Sequence, residues 1–367
     1  MWRITKILLL TAGFLMAATS TAENSFEEVA AKAAAARAAN DIPHAIELYQ
    51  KAVQLNPQWQ EGWWYLGTLA YDSDQYKIGE DAFEHLVNLN QKAAPGWALL
   101  GLCEFETGDY AKSLADLERS ISLGAAEDNQ MGAVILYHEA LALALTGRFD
   151  EALEKYAIFV RSGSVNDSIL LSIGIAALRE RLLPQHISSA QLPLYRDAGK
   201  TASFVLQGDY RSADQSFVDL LTKYPNTPHV HYLYGVYMMA REPDRAIEEF
   251  RRELKIDPAN ADALTMLALS LVGRGDIAQA LPCARQAALL APNSPLAQSI
   301  YGRTLVETGD DERGLTVLLR AEQLDPSNVD IHISLAVAYA QLGRVLDARR
   351  EREIVRALTE KEMRNGK

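Results

Sequence analysis

The chain has little of what a chemical site usually needs. Two cysteines, Cys103 and Cys283, stand 180 positions apart in 367 residues, which excludes a dense disulfide framework. There is no phosphate loop, no G-x-S-x-G, no H-E-x-x-H and no paired C-x-x-C, so the common nucleotide, hydrolase and zinc signatures are absent. Basic residues number 36 against 48 acidic ones, a formal net charge of −12. That balance excludes broad contact with a phosphate backbone, which needs clustered Lys and Arg. No cofactor or metal is implied by these patterns. His229 and His231 are two apart, a spacing that points them in different directions on a helix.

Long apolar runs are also missing. The run "ILLLTAGFLMAA" (7–18) has 12 residues, too few for a comfortable membrane span. Arg3 and Lys6 precede it, and Ser20 and Ala22 follow in "TSTAE". This layout predicts a secretory signal peptide over 1–22, cut after Ala22. The expected location is therefore periplasmic or secreted. No cysteine follows the run, so a lipid anchor is not indicated. In such an oxidising compartment the two distant cysteines are expected to be small buried hydrophobes rather than a disulfide.

What the chain does have is a repeat. Small residues recur at Ala33, Gly67, Gly101, Ala140, Thr201, Gly235, Ala268, Gly302 and Ala336, mostly 33 or 34 apart. A second series follows 11 or 12 residues later: Ala45, Gly79, Ser113, Ala152, Ala213, Ala246, Ala280, Gly314 and Ala348. Two helices approach closely only where a side chain is nearly absent. Each unit thus predicts a helical hairpin with one close contact. Between the two series lie glycine turns: "TGDY" (107–110), "TGRF" (146–149), "QGDY" (207–210), "RGDI" (274–277), "TGDD" (308–311) and "LGRV" (342–345). Glycine past one helix and a polar residue before the next is a stop-and-start signal. "IDPAN" (256–260) and "LDPSN" (324–328) mark the junction between units, because Asp before Pro ends one helix and sets the next. The tripeptide RGD at 274–276 is on this reading a turn, not an adhesion site.

The chain resembles the tetratricopeptide-repeat family. In the unit beginning at Gln60 the matching residues are Trp63, Leu66, Gly67, Ala70, Gly79 and Phe83. In the unit at Ala261 they are Leu264, Leu267, Ala268, Leu271, Ala280, Ala287 and Pro292. The resemblance covers roughly 26–360 in nine units. It implies an all-α fold, a right-handed α-solenoid of stacked helix-turn-helix units. The expected organisation is a block of about four repeats over 26–166, a degenerate unit over 167–193 and about five repeats over 194–362. The degenerate unit carries Gly174 in register, but its second half reads "LLPQHISSAQLPLY" with Pro184 and Pro193.

The resemblance also implies a concave groove lined by particular positions of the first helix of each unit. In this chain it suggests Trp64, Tyr71, Leu102, Phe105, Tyr137, Tyr195, Tyr232, Val236 and Met239, an apolar and aromatic set suited to a partner's apolar segment. Val134 and Leu141 fall on the same positions. Two known recognition modes of the family do not fit. A carboxylate clamp needs Lys and Asn where this chain has Ala30, Ala34, Trp64, Thr68, Ala98 and Leu102. An asparagine ladder is replaced by Tyr65, Leu99, His138, Leu233, Met266, Ile300 and Ser334. The expected function is a non-catalytic protein-binding scaffold of the periplasm or cell envelope. The alternatives are a structural spacer working through its ends and the regulatory arm of an enzyme. Repeats fill nearly everything after the leader, which leaves no room for a catalytic domain.

Overall fold

The computed structural model describes residues 25–127 and 129–365; the expected leader, 1–22, lies outside them. The described residues form nineteen α-helices and no strand, and they divide into two compact units, one ending at Leu192 and one beginning at Pro193.

The first unit contains α1 (25–38), α2 (Ile42–Leu55), α3 (Gln60–Tyr71), α4 (Tyr76–Leu89), α5 (Ala94–Thr107), α6 (Tyr110–Ser122), α7 (Asn129–Leu145), α8 (Phe149–Ser162) and α9 (Asp167–Ala177). The second contains α10 (Leu192–Gln207), α11 (Tyr210–Lys223), α12 (Val230–Met238), α13 (Pro243–Ile256), α14 (Ala261–Arg274), α15 (Ile277–Leu290), α16 (Pro295–Glu307), α17 (Asp311–Leu324), α18 (Val329–Gln341) and α19 (Val345–Asn365). In both units most helices pair as hairpins, and successive hairpins pack on one another. After α9 no second helix follows; the chain makes a short 3₁₀ turn at Pro184–His186 before α10 starts. The last residues of the aperiodic stretch, from Leu192, are already helical.

The two helices of a hairpin have different compositions because they have different neighbours. Helix α5 touches α3, α4, α6 and α7, and it buries every residue from Ala98 to Phe105. Helix α13 buries Ala246, Ile247, Glu249, Phe250 and Glu253 and turns its arginines outward. A side chain such as Phe250, fully removed from water, contributes about 1.5–3 kcal/mol. Both small-residue series sit at the helix crossings. Gly302 lies 3.1 Å, at its missing Cβ, from the Gly314 carbonyl, and Gly314 lies 3.0 Å from that of Gly302.

The turn glycines bear out their reading. Gly108, Gly147, Gly208, Gly275, Gly309 and Gly343 all have φ between 72° and 88°, a left-handed conformation open to glycine at little cost. Where glycine is missing, Asn40 and Asp74 take it at φ 57° and 58°, as short polar side chains can. In the RGD turn Arg274 is bonded to Asp276 itself (2.6 Å) and to Asp244 (2.8 Å).

Candidate partner-binding surface

The nine suggested groove residues do not form one exposed face. In the first unit Leu102 and Phe105 are buried, while Trp64, Tyr71 and Tyr137 are half-buried. Phe105 is covered by the first helix of the next hairpin: His138 of α7 stands edge-on to it at 5.0 Å. Tyr137 in turn packs on His138 (5.6 Å) and Phe159 (6.5 Å), with its hydroxyl 3.2 Å from Ser172. Trp64 meets Phe83 edge-on at 6.0 Å and borders a shallow depression with Glu61, Pro95 and Leu86. In the second unit Tyr195 and Tyr232 are buried, Met239 is half-buried and Val236 is exposed. Tyr232 rests against Phe250 at 6.0 Å. Aromatic bulk at these positions therefore packs the two helices of a hairpin together, as Trp64 and Tyr232 do, or seals one hairpin on the next, as Phe105 does.

Exposed apolar surface gathers elsewhere in the second unit. Leu269 of α14, Leu296 and Ile300 of α16, and Ile333 and Val337 of α18 line one hollow of about 340 Å³. Leu296, Ile333 and Val337 are 39%, 46% and 45% exposed. Arg303 and Glu307 line it too, joined to each other at 2.7 Å. Asn328 borders it while capping α18 through Asp330 N and Ile331 N. Leu269, Leu296, Ile333 and Val337 occupy the same repeat positions as the nine suggested residues.

A second pattern concerns the fourth residue of several units. Trp63, Trp97, His231, Gln298 and His332 each donate a side-chain N–H to the carbonyl six residues earlier: Pro57 (2.9 Å), Gln91 (3.0 Å), Pro225 (3.0 Å), Pro292 (3.3 Å) and Pro326 (3.0 Å). One N–H pins the inter-unit turn onto the helix it introduces. In His231 this bond engages Nε2, because a carbonyl can only accept. Its Nδ1 lies 2.6 Å from Glu249 Oε2, and Arg252 holds the other Glu249 oxygen at 2.7 Å. The hydrogen bond that His231 donates to Glu249 pushes the His231 pKa up, aided by Pro225 and the charges of Glu249 and Glu253, while burial opposes it. A cationic His231 is favoured in the folded state.

A raised histidine pKa stabilises the fold below the unfolded value, 6.5, and that contribution is lost as pH rises through the folded value. Wild-type protein is therefore expected to lose melting temperature from pH 6 to pH 9. His231→Gln, which keeps the bond that Gln298 shows, is expected to flatten that slope by about 2–4 °C for each kcal/mol the pair contributes. Parallel slopes in thermal melts of the two proteins would contradict the assignment.

The first unit holds an acidic pocket of about 280 Å³ among α4, α5 and α6, lined by Glu80, Glu84, Trp97, Glu104, Lys112 and Asp116. Burial, reinforced by Asp116, pushes the Glu104 carboxyl far above the ordinary carboxylate range.

A chain of helical hairpins, each closed by two small residues and all but the α12–α13 pair by a left-handed turn, is a helical-repeat protein. Models of the tetratricopeptide repeat match it over 66–130 and 203–261, and a further TPR repeat model matches over 302–343. The chain belongs to the tetratricopeptide-repeat family. Among solved structures it is similar to MamA 41-end from Desulfovibrio magneticus RS-1, with 20% identity, 44% of this chain and 92% of that one covered, and a TM-score of 0.40. It is also similar to the APC/C hetero-tetramer Cut9-Hcn1, with 13% identity, 92% and 79% covered, and a TM-score of 0.39. Yeast Tom70 matches with 11% identity, 92% and 85% covered, and a TM-score of 0.35. No curated protein matches the sequence.

Proposed function

We propose that the protein is a non-catalytic scaffold, exported to the periplasm or cell envelope, that holds an apolar segment of another protein. The segment lies along α14, α16 and α18 of the second unit. One observation carries this reading: three aliphatic side chains stand about half exposed around a single hollow, and clustered exposed apolar surface marks interaction sites. A pre-formed helical surface also loses little entropy on binding. Export rests on residues 1–22, and among the described residues no helix is long and apolar enough to cross a membrane.

Covering the exposed part of each side chain contributes about 1 kcal/mol. Ile333→Asp with Val337→Asp, which also buries charge, is expected to weaken the partner's binding at least about 100-fold. Each side chain is already about half covered in the free protein, so the pair is also expected to cost about 1–2 kcal/mol of stability, and thermal melts confirm that the variant stays folded. The test is co-purification from the envelope fraction with wild-type and doubly substituted baits, followed by titration of the recovered partner. Phe105→Ser or Tyr232→Asp would damage the core instead, because both side chains are buried. A partner kept by the double variant but lost by Leu346→Asp would favour the spacer reading, since Val345 and Leu346 at the start of α19 are 71% and 83% exposed. Export is tested by N-terminal sequencing of protein from the source cells. A mature chain beginning at Glu23 supports it, and an intact leader on cytoplasmic protein overturns it.

A further inference from the structure

The buried His–Glu arrangement occurs twice, and the two copies differ in charge. In the first, His231 faces Glu249, and Arg252 binds that carboxylate from the other side. In the second, His332 Nδ1 lies 2.7 Å from Glu351 Oε2, and Nε2 donates to the Pro326 carbonyl. The repeat register puts Ile354 where the first copy has Arg252, and Glu322 where the first copy has Leu221. One cation is gone and one carboxylate has arrived. His332 is 2% exposed and Glu351 6%; Glu322 is half-buried.

The three side chains come from three helices, α17, α18 and α19. One ligand atom from each lies within 4.8 Å of the others, and among the described residues no other three His, Cys, Asp or Glu side chains meet so closely. The bond to Pro326 fixes the ring as metal-binding histidines are usually fixed, with one nitrogen donating to a carbonyl and the other aimed at the site. We propose that His332 Nδ1, Glu351 and Glu322 form a binding site for a divalent metal ion. One nitrogen and two carboxylate oxygens suit zinc and its first-row neighbours better than magnesium or calcium, which prefer all-oxygen shells. The ion supplies the positive charge that Arg252 supplies in the first copy, and it ties the last helix of the array to the two before it.

The test is equilibrium dialysis of untagged chain against zinc, with metal analysis, for wild type and three variants. Glu322→Leu recreates the first copy. His332→Gln keeps the turn bond, as Gln298 does, and removes the nitrogen ligand. His231→Gln is the control. Thermal melts without metal confirm that each variant is folded. The expected result is one zinc per wild-type chain, displaced poorly by magnesium. Affinity should fall at least about tenfold in Glu322→Leu and His332→Gln and stay unchanged in His231→Gln. No bound zinc, or zinc bound equally by Glu322→Leu and His332→Gln, overturns the site. Loss of zinc in His231→Gln overturns the argument that the third carboxylate makes the difference.

Discussion

Glu253→Ala is expected to cost about 3–5 kcal/mol, read as a lower urea midpoint for the second unit. The carboxylate is wholly buried. It accepts from the backbone N–H of His229 (2.7 Å) and Tyr232 (3.2 Å) and from the Asn260 side-chain amide (3.2 Å). The first two are amides at the N-terminus of α12, which have no partner inside their own helix. His229, the residue before α12, sits at φ 66° and makes no side-chain cap. Glu253 replaces that cap from another helix, and its charge suits the positive end of the helix dipole. Asn260 is itself the cap of α14, accepting from Ala263 N at 2.9 Å. One carboxylate thus steadies the starts of two helices. Alanine leaves three donors in a dry interior, each costing about 1–3 kcal/mol before the structure relaxes. Glu253→Gln keeps the shape and one acceptor oxygen, so an intermediate loss is expected. An alanine variant within about 0.5 kcal/mol of wild type would show that water reaches these amides.

Gly235→Leu is expected to lose at least about 3 kcal/mol. A Cβ at Gly235 would stand 2.6 Å from Phe250 Cε1 and 2.8 Å from Cδ1. Phe250 has no room to retreat, since it is fully buried within a cluster that includes Tyr232, Tyr234, Ala246 and Ile247. Overpacking a filled core costs about 1–3 kcal/mol for added methylenes, and more where a ring is displaced. The same complementarity recurs: Gly67 meets Phe83, Gly101 meets Leu117 and Gly302 meets Leu318, whereas Ala268 packs with Ala284. Phe250→Ala in the Gly235→Leu background is expected to recover part of the loss. The coupling should be about 1–3 kcal/mol in a double-mutant cycle followed by urea unfolding. Additive losses would mean that the two side chains do not share the space.

Much of this fold is legible in the sequence because each repeat states its geometry locally. A glycine at a helix end must answer a backbone demand, and all six turn glycines do so with positive φ. A small residue in an apolar helix must answer a packing demand, and Ala33, Thr201, Ala268 and Gly302 are all buried. The binding surface is harder to read, since the same repeat position can face solvent or the next hairpin. Phe105 is sealed by His138, while Val337, also on the inner face, stays open. Only the packing of successive units separates the two cases. The cluster of Glu322, His332 and Glu351 leaves no motif at all. Its members are 10 and 19 residues apart, and the hairpin geometry brings them together.

The pinning of five of these turns by one side-chain N–H has a wider consequence. Tryptophan, glutamine and histidine all fill that slot with bonds of 2.9–3.3 Å. The backbone needs only a donor at one height and does not register what the rest of the ring does. A substitution in that slot can therefore exchange an inert indole or amide for an ionisable imidazole while the turn keeps its bond. Such a protein can take on sensitivity to acidity or to dissolved metal one repeat at a time, while its architecture stays fixed.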